Sequence, residues 1–94
     1  LRQLNAKRDA NEPEIVKALR KHGATVQPLS VGGVPDLLVG YMGVNLLFEV
    51  KSDKGTLTED QKVWHENWIG QKTIVHNPAE ALVYLHALDY LRPK

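Results

Sequence analysis

Apolar positions along this chain follow two rhythms, one helical and one extended. Ile15, Ala18, Leu19 and His22 form a stripe at helical spacing, and Gly23 stops it. Asn11-Glu12-Pro13-Glu14 is the start signal, with Asn11 as N-cap, Pro13 in the first turn and Glu14 at the capping-box position. Ala24 to Ser30 reads as a first strand, where Pro28 favours an edge or a bulge. Val31-Gly32-Gly33-Val34-Pro35 is a turn-rich link. Two apolar runs, Leu37-Leu38-Val39 and Val44 to Val50, then flank Tyr41-Met42-Gly43 and predict a β-hairpin. With Met42 and Gly43 as its two-residue loop, Tyr41 faces Val44 and Asp36 faces Glu49.

One face of this hairpin carries Leu37, Val39, Leu46, Phe48 and Val50, and the other carries Leu38 and Leu47. Strands apolar on both faces are covered on both, which predicts helices on each side of the sheet. After a polar loop from Ser52 to Leu57, Thr58-Glu59-Asp60-Gln61 is a capping box for a second helix ending near Gly70. Its stripe is Gln61, Trp64 and Trp68, which aims Gln61 the same way as two aromatics expected in the core or at a subunit contact. Lys72 to His76 reads as a fourth strand. Asn77-Pro78-Ala79-Glu80 caps a last helix with Ala81, Leu82, Leu85 and Leu88 inward, and Arg92-Pro93-Lys94 looks like a frayed end. The order is α-β-β-β-α-β-α, an α/β layer structure with a mixed sheet of about four strands.

Composition narrows the possibilities. Ninety-four residues make one domain, 1–94, and 43% apolar with 24% charged residues fits a soluble globular chain. No apolar run approaches the ~18 residues of a membrane span, so no membrane partner is expected. The absence of cysteine excludes disulfides and thiolate metal sites, and is compatible with a reducing cytoplasm. Net charge is only +1, yet residues 1–24 hold six of the basic residues (Arg2, Lys7, Arg8, Lys17, Arg20, Lys21) against three acids. A basic flank on a near-neutral body suits phosphate contact, and equally an ordinary solvated helix face.

The candidate chemistry lies at the open end of the hairpin. Opposed residues on antiparallel strands have Cβ atoms roughly 4.5–5.5 Å apart. Lys51 follows Glu49 by two residues and leaves on the same face. Two carboxylates about 4 Å apart repel by roughly 4 kcal/mol at an effective dielectric near 20. A divalent cation between them removes that repulsion, and Mg²⁺ is held by one or two carboxylates with waters and substrate phosphates. Lys51 offsets part of the charge. The same spacing is also met by a surface hairpin end with an ordinary salt bridge. The four histidines show no metal-ligand spacing such as HExxH and read as structural or surface residues. Of these, His65, four residues after Gln61, is placed to line the cleft.

Pro35-Asp36, Glu49-Val50-Lys51 and then Gln61 after a polar loop resemble the PD-(D/E)xK nuclease superfamily. The nearest likeness is to its virus-type replication-repair nuclease (VRR-NUC) branch, in its stand-alone phage form, from about Glu14 to the C-terminus. The Gly33-Val34-Pro35-Asp36-Leu37-Leu38 approach and the Phe48-Glu49-Val50-Lys51 strand carry the likeness. The resemblance implies a restriction-endonuclease-like three-layer core and Mg²⁺- or Mn²⁺-dependent hydrolysis of phosphodiester bonds in DNA. By motif position, Asp36, Glu49 and the Val50 backbone carbonyl would hold the metal, with one metal or two equally compatible. Lys51 would orient or deprotonate water, or stabilise the phosphorane. Glu14 would reach the metal directly or through water, and as a capping-box residue it has a structural role as its rival. Gln61 would fix Lys51 or the scissile phosphate, and Lys54, Lys7 and Arg8 would contact DNA.

Small members of that family resemble Holliday-junction resolving enzymes, so a homodimer acting on a four-way junction is the expected form. Such a protein belongs in the cytoplasm of a bacterial host, as a phage or prophage product. A flap or general endonuclease, or a non-catalytic DNA-binding module on the same scaffold, are the alternatives.

Overall fold

A computed structural model describes residues 8–90 of the chain. The expected frayed end and the Lys7 DNA contact lie outside them. The elements are α1 (Glu12–Lys21), β1 (Thr25–Pro28), β2 (Leu37–Tyr41), β3 (Val44–Val50), α2 (Glu59–Asn67), β4 (Lys72–Val75) and α3 (Pro78–Ala87). A 3₁₀ turn over Leu88–Tyr90 follows. The strands form one mixed sheet in the order β1-β2-β3-β4. β1, β2 and β3 are antiparallel neighbours, while β4 runs parallel to β3. A parallel pair needs a long crossover, which here consists of the Lys51 loop and α2.

The hairpin has the expected register: Tyr41 pairs with Val44, and Leu37 with Phe48. Its loop residues Met42 and Gly43 both have positive φ, 51° and 83°. That combination matches a type I′ turn, whose twist suits a two-residue hairpin, and explains glycine at the second position. Slipping the register by one residue would turn the buried set out to solvent. Turn chemistry and burial therefore specify the same pairing.

The core lies on one side of the sheet. Leu37, Val39, Leu46, Phe48 and Val50 pack there against Ile15 and Leu19 of α1 and Ala81 and Leu85 of α3, with Leu88 beside them. Leu82 is only half-buried, and His22 is exposed rather than inward. The opposite face is thinly covered. α2 stands over it at the Glu49 end and buries none of its residues fully, while Leu38 remains exposed. This gives three layers with a light outer one.

One helix end and one helix cap differ from the sequence reading. α2 ends at Asn67, short of Gly70, because Trp68 turns extended and its carbonyl accepts from Lys72 Nζ at 2.6 Å. The Gln71 carbonyl then accepts from the Leu47 amide at 3.2 Å, starting the β4 ladder. At α1, Asn11 makes no side-chain cap, so the box expected with Glu14 does not form. The Asn11 amide group instead donates to the carbonyls of Lys51 (3.1 Å) and His76 (2.7 Å). It thereby fastens the helix start to the ends of β3 and β4. The Thr58 and Asn77 caps form as expected.

Candidate metal centre at the end of the hairpin

Asp36 precedes β2, and Glu49 is the penultimate residue of β3. Continuing the hairpin register by one step sets them opposite each other on the thinly covered face. Asp36 Oδ2 accepts from the Val50 amide at 2.8 Å, which fixes its carboxylate. The Val50 side chain points into the core, 1% exposed, so only its backbone faces this site. Glu49 is also 1% exposed, an uncommon state for a carboxylate.

Three side chains surround Glu49. Gln61 Nε2 donates to its Oε2 at 3.3 Å, and Lys51 Nζ lies 3.9 Å from the same oxygen. His65 Nε2 lies 3.9 Å from Oε1, too far for a hydrogen bond, and both atoms are buried without a hydrogen-bond partner. Gln61 thus grips Glu49, where the sequence had assigned it to Lys51 or a phosphate. Its other end serves the helix: Oε1 accepts from the Thr58 amide at 2.9 Å, while Thr58 Oγ1 accepts from the Gln61 amide. One residue therefore starts α2 and ties that start to the site.

Electrostatics follow from this crowding. Burial first, and the adjacent Asp36 second, push the Glu49 carboxyl up to about 9, against a smaller opposing pull from Lys51. A buried carboxylate beside another is poorly tolerated without a counter-cation. Burial, then Lys72 and Lys51, lower the His65 imidazole below its ordinary range, so it stands neutral near pH 7.

The acid that α1 directs inward is Glu12, not Glu14. Glu14 is exposed, whereas Glu12 is only 7% exposed. The reason is helical phase: Glu12, Ile15 and Leu19 share one buried stripe at i, i+3 and i+7, and Glu14 lies off it. Glu12 Oε2 accepts from Arg8 Nε at 2.8 Å, and its Oε1 is buried without a partner. Arg8 also donates to the carbonyls of Leu29 and Asp36, both at 3.2 Å, and to Ser30 Oγ at 3.3 Å. Arg8, expected from the resemblance to contact DNA, is exposed, and its guanidinium donates to the fold at Leu29, Ser30 and Asp36, bracing the approach to Asp36. Its partner Glu12 raises its already high pKa further. Lys54 is exposed on the loop that follows Lys51.

Trp64 and Trp68 do not enter the core. Their rings stack at 5.0 Å with 16° between planes, and Trp68 is 45% exposed. With Gly32, Gly33 and Val63 they line a shallow groove of about 340 Å³ beside the site. Gly33, at φ 81°, passes close under Asp60, where a Cβ would stand 3.5 Å from the Asp60 backbone.

Among the described residues, no three Asp, Glu, His or Cys side chains form a ready-made metal cage. The donors at the hairpin end are nevertheless of the kind a hard cation takes: two carboxylates and adjacent backbone. The unpartnered, buried Oε1 of Glu49 is the observation that fits a cation there. No protein-family model, curated protein or solved structure matches the chain.

Proposed function

We propose that this chain is a Mg²⁺- or Mn²⁺-dependent endonuclease that hydrolyses phosphodiester bonds in branched DNA. The reading rests on one observation: Asp36 and a buried Glu49 lie side by side, with Lys51 and Gln61 on one Glu49 oxygen and the other unpartnered. Asp36, Glu49 and the Val50 carbonyl would hold the cation. When bound, it polarises the phosphate and lowers the pKa of a coordinated water.

The remaining roles belong to the protein. The Val50 amide holds Asp36 in position, and Gln61 holds Glu49. Lys51, only 13% exposed in its side chain, presents an ammonium beside the carboxylates. There it can orient the attacking water and neutralise charge developing on the phosphorane. Lys54, exposed on the loop after Lys51, offers a phosphate contact by charge. No helix among the described residues is long and apolar enough to cross a membrane.

A four-way junction as substrate and a homodimer as the working form belong to the same proposal. A symmetric junction offers two equivalent strands, and a two-fold dimer offers two equivalent sites. The test is incubation of the protein with four-way junction, flap and linear duplex DNA, each with Mg²⁺, Mn²⁺ or chelator. Metal-dependent cutting of the junction well above the linear duplex is expected. Equal cutting of all three substrates would reduce the reading to a general endonuclease, and preferred cutting of the flap would make it a flap nuclease. No cutting with either metal would leave a DNA-binding module.

A further inference from the structure

Resting on the metal-centre reading above, the geometry points to His65 Nε2 as a nitrogen ligand of the cation that Asp36 and Glu49 hold. Two buried polar atoms face each other across the site, Glu49 Oε1 and His65 Nε2, and neither has a hydrogen-bond partner. They stand 3.9 Å apart. That distance is too long for a hydrogen bond, whose heavy atoms lie within about 3.2 Å. It is short enough for a shared ion: two ligands each roughly 2.1 Å from one cation can be at most about 4.2 Å apart.

The surroundings hold both atoms in place. Glu49 is on the rigid β3 ladder, and its other oxygen is engaged by Gln61 and Lys51. His65 lies one helical turn after Gln61 on α2, so the two side chains descend on the same carboxylate. Its ring packs edge-on against Trp64, with centroids 5.4 Å apart. Each of these buried atoms, left unsatisfied, carries the full penalty of losing its water. A cation between them satisfies both.

An imidazole in the shell changes which ion is preferred. Carboxylates, carbonyls and water suit Mg²⁺ and Mn²⁺ alike, whereas an imidazole adds affinity for first-row transition ions, of which Mn²⁺ gains least. His65 therefore biases the centre toward Mn²⁺ over Mg²⁺.

The experiment is electron paramagnetic resonance of Mn²⁺ bound to the intact protein, with pulsed detection of nitrogen coupling and a second sample carrying ¹⁵N-histidine. One bound Mn²⁺ is expected, with an imidazole ¹⁴N signal that changes on labelling. His65→Ala and the bulkier His65→Gln should lose that signal and bind Mn²⁺ about tenfold or more weakly, with a smaller loss for Mg²⁺. Asp36→Asn should abolish Mn²⁺ binding. Mn²⁺ binding that depends on Asp36 yet shows no histidine coupling in the wild-type protein would overturn the His65 assignment and leave the carboxylate centre standing. Absence of Mn²⁺ binding to the wild-type protein would overturn both.

Discussion

Glu49 sets the electrostatics of the candidate site through its buried position on β3. Its carboxyl rises from 4.5 to about 9 in the folded chain, chiefly through burial and then through Asp36. Between those values the native state retains a proton that the unfolded state has released. Stability without metal therefore falls as pH rises from about 5 toward 9. Urea unfolding in chelator across this range should show that decline, and Glu49→Gln should flatten it. A pH-independent wild-type stability would contradict the burial argument. The two acids of α1 separate just as clearly. Glu12→Gln breaks a part-buried charge pair with Arg8 and should cost about 1.5–3 kcal/mol in denaturant unfolding, whereas Glu14→Gln should stay within about 0.5 kcal/mol. Lys51→Ala should retain the fold and reduce metal-dependent cleavage by roughly 10²–10⁴-fold.

At the scale of elements, the hairpin was the most legible part of the sequence. Alternation has a strict period of two, and Met42-Gly43 has the turn chemistry, so Asp36 and Glu49 could be set opposite each other before any coordinates. The start of α1 was less legible, because two rules competed there. Capping logic selected Asn11 and Glu14, whereas the buried stripe through Ile15 and Leu19 selects Glu12. Tertiary bonding decided it: the Asn11 side chain reaches the Lys51 and His76 carbonyls, partners invisible to local sequence. The hydrogen bonds of Arg8 were hidden for a similar reason, since its acceptors at Leu29 and Asp36 lie more than twenty residues away. The aromatics of α2 followed the expected stripe but found no core beneath them, because the helix ends at Asn67 and covers only one end of the sheet. The double role of Gln61 gives an element-scale prediction. Thr58→Ala removes only the cap and should lower stability by about 1 kcal/mol. Gln61→Ala removes the side-chain half of the capping box and the grip on Glu49, and should in addition slow cleavage, measured as the single-turnover rate.

For the whole molecule, the sheet's architecture explains where the site sits. α1 and α3 fill one face with the apolar core, which leaves the other face free for Asp36, Glu49 and Lys51 under a light cover of α2. The core carries stability, and the thin side carries the candidate site. A long axis of 43 Å makes one copy small beside a four-way junction. Junction resolution by the proposed homodimer should therefore rise with protein concentration in step with dimer formation, followed by sedimentation alongside the cleavage assay. The centre itself is tested most directly by anomalous diffraction from crystals soaked in manganese. A single peak is expected between the Asp36 and Glu49 carboxylates. Well-ordered carboxylates with no peak between them would contradict the account.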